Sequence, residues 1–102
     1  QQPLREIAQT ALAEQQLDES LYMVGFMKPS LVFYMQRPVM YVERPADLPT
    51  ILSRENGVES ALVVGTMDEI GSLNWPVEQQ SALVTTDTYH LVRVSLPAPN
   101  DR

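Results

Sequence analysis

Apolar and polar positions follow first a helical and then a strand-like spacing along this chain. A short apolar run at residues 21–26 is typical of a buried strand, after a polar break at residues 18–20. Before that break, apolar residues recur at the spacing of one helix face. These residues are Leu4, Ile7, Ala8, Ala11 and Leu12. The pattern predicts a helix that ends near Gln16, followed by the first strand of a sheet.

Four further strands are predicted at residues 39–43, 60–65, 81–86 and 89–96. The run from Ser60 to Gly65 is the clearest of them, because it is apolar throughout, as in a parallel strand covered on both faces. A short helical face near Leu48 ends at Asn56-Gly57, and a second short helix follows residue 66. Thr66 and Glu69 have the spacing of a capping box for that second helix. The last two strands are separated by a short turn, which predicts a hairpin.

The segment from Pro29 to Gln36 is open to two interpretations. Val32, Phe33 and Tyr34 favour a strand by propensity. Pro29 is equally suited to the first turn of a short helix.

The element order predicts an α/β fold: a small three-layer open sheet, mixed but mostly parallel, with helices packed on it and a closing C-terminal hairpin. The chain has 102 residues, 44% of them apolar, which suits one core. We expect residues 1–96 to form a single soluble domain and residues 97–102 to form a frayed tail, because the prolines there interrupt strand pairing. The chain does not begin with methionine, and we expect it to be a piece of a larger protein.

Charge and cysteine content exclude several classes of partner. The net charge is −6, Lys28 is the only lysine, and the six arginines are scattered. Nucleic-acid binding requires clustered cations, so a nucleic-acid partner and an anionic membrane surface are both disfavoured. The chain has no cysteine, which excludes disulfides and thiolate metal sites.

Candidate catalytic groups are few, and each has a structural interpretation. His90 is the single histidine, with Asp87 three residues before it, but it shares a strand face with valines and is predicted to be structural. Asp68-Glu69 is predicted to cap a helix, and Asp18-Glu19 to lie in a solvated turn. No nucleotide-binding, hydrolase or metalloprotease motif occurs. We therefore predict no catalytic residue, no metal site and no cofactor.

The aromatic residues also leave two interpretations open. They are suited either to lining a sugar or lipid site or to packing in the core with a polar atom at the surface, and the second is the more ordinary role. The residues are Tyr22, Tyr34, Tyr41, Trp75 and Tyr89.

One stretch carries a family resemblance. Residues 18–42, DESLYMVGFMKPSLVFYMQRPVMYV, contain a strand, a Pro-Ser-Leu-Val-Phe-Tyr segment, an Arg-Pro-Val and a second strand. This order resembles the carboxy-terminal soluble region of bacterial polyprenyl-phosphate-dependent glycosyltransferases, the multi-pass membrane enzymes related to protein mannosyltransferases and aminoarabinose transferases. The Gln-Pro-Leu-Arg-Glu-Ile-Ala opening and the later Tyr89-His90-Leu91-Val92 strand are also similar. The resemblance implies that residues 29–35 form a short helix.

The resemblance implies a non-catalytic domain on the extracytoplasmic (periplasmic) face of a bacterial membrane. In that family the sugar-transfer acids and the polyprenyl-phosphate site lie in the membrane part, so no catalytic residue carries over to this chain. The implied partners are the membrane-embedded part of the same chain and a lipid-linked sugar or acceptor. The polar members of the shared segment, Lys28, Ser30, Tyr34 and Arg37, are candidate contacts for a phosphate or sugar.

Two other classes of function remain open. A free-standing module for a small ligand or a protein would have an apolar pocket at the carboxyl ends of the parallel strands, near Lys28, Arg44 and Thr66. A small enzyme would place His90 in that cleft, beside a carboxylate or serine. A phosphoacceptor receiver domain is disfavoured, because no acidic pair follows the first strand.

Overall fold

The structure, a computed structural model, describes residues 2–55 and 57–98. Its helices are α1 (Gln2–Glu14), α2 (Pro29–Met35), α3 (Leu48–Leu52) and α4 (Met67–Gly71). Its strands are β1 (Leu21–Val24), β2 (Val39–Val42), β3 (Ser60–Gly65), β4 (Gln80–Thr85) and β5 (His90–Ser95). Single 3-10 turns at Pro45–Asp47 and Val77–Gln79 lead into α3 and β4.

The five strands form one mixed sheet in the order β2-β1-β3-β5-β4. β1 pairs in parallel with β2 on one side and with β3 on the other. β5 is antiparallel to both β3 and β4, so four strands run in one direction and β5 runs in the opposite one. The mixed sheet and the closing hairpin are confirmed, with two parallel and two antiparallel strand pairs.

Two apolar clusters lie on opposite faces of the sheet and give the domain three layers. Side chains alternate between faces along β1, so that Leu21 and Met23 face α1 and α2, whereas Tyr22 and Val24 face α3. β3 is buried along its whole length, as its continuous apolar sequence predicts. The three-layer α/β arrangement is therefore confirmed.

The strand that propensity favoured between Pro29 and Gln36 is wrong, and the helix that the resemblance implied is confirmed. Leu31 and Met35 are four residues apart and both are buried beneath α2, while Pro29 occupies its first turn. Gln36 ends the helix in the left-handed region at φ 53°. Burial of one helical face outweighs the weak strand preference of the exposed Val32 and Phe33.

Two of the aromatic residues pack in the core, as their ordinary role predicts. Tyr22 and Trp75 are buried, and the Trp75 indole N–H donates to the carbonyl of Ser95 at 3.1 Å. Tyr41 is exposed on β2, one of the two edge strands. Most of the predicted frayed tail, residues 99–102, lies outside the described residues, whereas the carbonyl of Pro97 accepts a hydrogen bond from Gln79.

Candidate functional site

The four ligand contacts predicted from the sequence lie around α2 but do not converge. Lys28 and Ser30 are exposed at the start of the helix, and Arg37 lies beyond its end. A seven-residue helix is about 10 Å long, so Lys28 and Arg37 lie at opposite edges of the sheet. Tyr34 is half-buried and packs against the core. Of the four, Arg37 borders the largest of the three grooves described below.

The side chain of Glu69 lies at the carboxyl-terminal ends of β1 and β3. We call this end of the parallel strands the carboxyl edge and the opposite end the amino-terminal edge. Glu69 Oε1 accepts the backbone N–H of Thr66 at 2.8 Å, and the Thr66 hydroxyl accepts the N–H of Glu69 at 3.2 Å. The predicted capping box is thus confirmed. A Cβ added at Gly25 would lie 2.5 Å from Glu69 Oε2, and one added at Gly65 would lie 3.2 Å from Oε1. The two glycines therefore admit this carboxylate between the ends of β1 and β3.

Gly25, Gly65 and Glu69 border a crevice between the carboxyl ends of β1 and β3. The connections from β1 and β3 leave toward opposite sides at this point, which makes it the topological switch point where ligands of open α/β sheets commonly bind. We call it the switch-point crevice. In this molecule, a side chain of the protein itself occupies it.

His90 also lies at this edge, opposite Gly65 on the neighbouring strand. It is half-buried, and within residues 2–55 and 57–98 no hydrogen bond joins its ring to Asp87, to another carboxylate or to a hydroxyl. Among the same residues, no group of three histidine, aspartate or glutamate side chains is arranged to hold a metal ion.

The opposite, amino-terminal edge contains a buried ion pair that the sequence did not predict. The sequence predicts a solvated turn for Asp18-Glu19. For Glu19 this prediction is wrong, because its side chain is only 1% exposed. Arg93 donates to both of its oxygens, Nε to Oε2 at 2.7 Å and Nη2 to Oε1 at 3.0 Å. Ser60 donates to Oε2 at 2.5 Å, and the N–H of Gln16 donates to Oε1 at 2.8 Å. Arg93 also donates to the carbonyl of Glu14, at the end of α1.

These contacts shift the titration of both partners. Burial alone raises the pKa of Glu19, but the hydrogen bonds from Arg93, Ser60 and Gln16 outweigh burial and hold this pKa below its ordinary value. The hydrogen bond to Glu19 raises the pKa of Arg93. Both groups are charged at neutral pH, and the pair connects α1, β1, β3 and β5. We call Glu19, Ser60 and Arg93 the clamp.

Three surface grooves lie at this amino-terminal edge, and none of these three is lined by Lys28, Arg44 or Thr66. The largest, about 480 Å³, lies between the loop before β1 and the residues before β2. A second of about 190 Å³ lies on the β3 side of the same loop, and a third of about 380 Å³ lies between α3 and residues 96–98. The first is lined by Gln15, Gln16, Leu17, Asp18, Glu19, Ser20, Arg37 and Pro38, and we call it the loop groove.

The clamp was missed because its members are far apart in sequence. Ser60 is 41 residues from Glu19, and Arg93 is 74 residues from it. The available signal was an arginine within the otherwise apolar strand 91–94, since a charged side chain that packs against a core requires a partner. The sequence does not reveal which of the thirteen carboxylates is that partner.

Comparison with known protein families identifies the kind of domain. Residues 14–102 match the family model described as "Cyanobacterial RgtA-type glycosyltransferase, C-terminal domain". The chain belongs to this family. The match confirms the resemblance to a glycosyltransferase C-terminal domain. No curated protein and no solved structure gave a significant match to the chain.

The match to the RgtA-type domain begins at the last residue of α1, and so covers all five strands, the clamp and the switch-point crevice. The first thirteen residues precede it, although Leu4, Ile7 and Ala11 of α1 are buried in the core. Within residues 2–55 and 57–98, no helix of the RgtA-type domain combines the length and apolarity that crossing a membrane requires.

Proposed function

We propose that this RgtA-type domain is a non-catalytic accessory domain on the extracytoplasmic face of a membrane glycosyltransferase. The parent enzyme transfers a sugar from a polyprenyl-phosphate donor, and its reacting groups lie in the membrane-embedded part of the chain. The family match supports the assignment to a glycosyltransferase. The membrane attachment, the side of the membrane and the donor rest on the resemblance of residues 18–42.

The observation that carries the accessory role is the occupied switch-point crevice. Ligands of open α/β sheets commonly bind there, and in this domain the Glu69 carboxylate takes that space. Glu69 is held by its own helix cap, and a Cβ at Gly25 would overlap its carboxylate. A ligand in this crevice would have to break the capping box.

Two carboxylates of the described residues have arginine partners, which supports the same conclusion for these two groups. Glu19 is neutralised by Arg93, and Asp47 pairs with Arg44 at 3.6 Å in an exposed contact. Catalytic acids and bases need a pKa matched to their reaction, whereas the pKa of Glu19 is held low by its structural partners.

The membrane sidedness can be tested by cysteine labelling of the full-length enzyme. The domain has no cysteine, and Val77 is 80% exposed, so a Val77→Cys variant with the parent's other cysteines replaced reports on this domain alone. We expect the protein in the membrane fraction and labelling of intact cells by a membrane-impermeant maleimide. A Leu62→Cys variant, at a fully buried position, is the unlabelled control. Labelling only after lysis, or a soluble product of about this length, would contradict the proposal.

The accessory role can be tested by turnover of a polyprenyl-phosphate hexose in membranes that contain the parent enzyme. We expect His90→Ala and Asp87→Asn to retain activity within about threefold, because general acid–base catalysis typically contributes at least 100-fold. Protein abundance, measured by immunoblotting with an antibody against the domain, is the control. A loss of about 100-fold at unchanged abundance would place a reacting group in this domain and overturn the accessory role.

A further inference from the structure

The loop groove combines neutral and charged hydrogen-bonding groups at one site. The amides of Gln15 and Gln16, the hydroxyl of Ser20 and the side chains of Asp18 and Arg37 all line it. Its volume of about 480 Å³ lies within the range of small-molecule sites. Asp18 and Arg37 carry opposite charges, and Glu19 is neutralised by Arg93, so the lining has no net charge.

Two polar groups of the groove, Gln15 and Arg37, are linked by hydrogen bonds to the backbone of Glu19. Gln15 donates from Nε2 to the carbonyl of Glu19 at 2.6 Å, and Arg37 donates from Nη1 to Gln15 Oε1 at 2.8 Å. Asp18, next to the buried Glu19, adopts the left-handed region at φ 65°. The guanidinium of Arg37 is therefore positioned by a neutral amide. Among the described residues, no carboxylate lies within ion-pair distance of it.

This arrangement is complementary to a polyhydroxylated ligand. Each sugar hydroxyl both donates and accepts a hydrogen bond, and the groove offers amides, a hydroxyl, a carboxylate and a guanidinium. A phosphate group would meet Arg37 as its one cation and would be repelled by Asp18. Because Arg37 is already hydrogen-bonded to Gln15, it loses less conformational entropy when it binds a ligand.

We propose that the loop groove binds a sugar ring of the enzyme's donor or acceptor, with Arg37, Gln16, Asp18 and Ser20 as its polar contacts. The inference rests on the proposed function, because a glycosyltransferase supplies both kinds of saccharide. It extends that function by assigning to the accessory domain a saccharide subsite at the amino-terminal edge of the sheet.

Protection of a cysteine in the groove tests the proposal in the full-length enzyme. Leu17 is 93% exposed and lines the groove, so Leu17→Cys places a label site there without disturbing the core. We expect a polyprenyl-phosphate hexose or methyl hexopyranosides to slow its maleimide labelling about fivefold or more. The matched control is Val77→Cys, which is 80% exposed and lies outside the groove, and its labelling is expected not to change.

The pattern of protection distinguishes the two sources of sugar. Protection by the polyprenyl-phosphate hexose alone identifies the donor, and protection by the methyl hexopyranosides identifies a free sugar ring such as an acceptor presents. Protection by inorganic phosphate or by polyprenyl phosphate without sugar would overturn the proposal, because it indicates an anion or lipid site. Absence of protection by every probe would also overturn it, as would a Leu17→Cys side chain that remains unlabelled in lysed membranes.

Arg37→Ala provides a second measurement with Leu17 in place. Loss of one charge-assisted hydrogen bond should raise the KM for the saccharide about tenfold with kcat nearly unchanged. Arg54→Ala, at an exposed arginine outside the groove, is the control. An unchanged KM for both donor and acceptor would overturn the subsite. An unchanged KM contradicts only the saccharide subsite if Val77→Cys is labelled in intact cells and the enzyme turns over its donor. The proposed function then still holds.

Discussion

The two ends of the parallel strands each contain a glutamate, and the two carboxylates are stabilised in opposite ways. Glu69, at the carboxyl edge, bonds to a residue three positions away and completes a helix cap. Glu19, at the amino-terminal edge, bonds to Ser60 and Arg93 and connects four elements of the fold. One carboxylate stabilises a single five-residue helix, and the other connects α1, β1, β3 and β5.

The difference explains why grooves form at one edge while the switch-point crevice at the other is filled. A local cap keeps the Glu69 side chain folded back over Gly25 and Gly65. In the clamp, by contrast, the Glu19 side chain is buried. The loop before β1 separates the two grooves that lie on either side of it. The expected effects of substitutions therefore differ between the two edges.

Removal of the clamp arginine should have the largest effect. Arg93→Ala leaves Glu19 buried without its cation, and we expect the free energy of unfolding to fall by about 3–5 kcal/mol. Urea unfolding of the 102-residue chain measures this change. Arg44→Ala, which removes an exposed contact with Asp47 at 3.6 Å, is the matched control and should change stability by less than about 1 kcal/mol. If Arg93→Ala lowers the free energy of unfolding as little as Arg44→Ala does, the clamp makes no net contribution to stability.

Acid should weaken the clamp by titration, with a smaller effect than loss of Arg93, because the serine and backbone contacts remain. The pKa of Glu19 is lowered on folding, so its contribution is present above its unfolded pKa of about 4.5 and is lost as pH falls through the lower folded value. The stability of the chain should therefore decline below about pH 4.5. Glu19→Gln should flatten this decline, and an unchanged acid limb in that variant would contradict the assignment.

At the opposite edge, Gly25→Ala should have a moderate effect. The residue has φ 80°, and its new Cβ would displace the Glu69 carboxylate. The left-handed backbone and the lost cap together should cost about 2–3 kcal/mol in urea unfolding. Gly71→Ala has open space around its Cβ and should be neutral or slightly stabilising. A neutral Gly25→Ala would show that Glu69 does not occupy the crevice.

The cap alone should have a smaller effect. Thr66→Ala removes the hydroxyl that accepts the N–H of Glu69 and should reduce the free energy of unfolding by about 1 kcal/mol. Thr50→Ala, at an exposed position in α3, is the control for loss of a threonine. A larger effect than that of Gly25→Ala would reverse the order expected for this edge.

Arg37→Ala should affect stability least, by less than about 0.5 kcal/mol, because the side chain is exposed and bonds to one neutral amide. Thermal unfolding of the variant checks this expectation. A large loss of stability would indicate that Arg37 has a structural role, and its effect on KM would then not identify a ligand contact.

Most of the fold was predictable because its signals are local. The apolar run at residues 60–65, the capping-box spacing of Thr66 and Glu69 and the two strands of the hairpin each lie within a few residues of one another. The segment 29–35 was the exception, because its strand propensity and its helical burial pattern disagree, and packing of Leu31 and Met35 decides between them. The candidate site was predicted only through Arg37, one of its polar contacts.

The sequence by itself determined the α/β class, the parallel strands at the centre and the local cap of α4, because periodicity and capping depend on near neighbours. It also carried the resemblance that the family match confirms. Only the tertiary structure decided that Glu19 is buried, that Arg93 is its partner, and that Glu69 fills the switch-point crevice. The contacts of Glu19 with Ser60 and Arg93 join residues 41 and 74 positions apart. Gly25 and Glu69, which meet in the switch-point crevice, are also far apart in sequence. The pairing of distant residues depends on strand order, which no local pattern encodes.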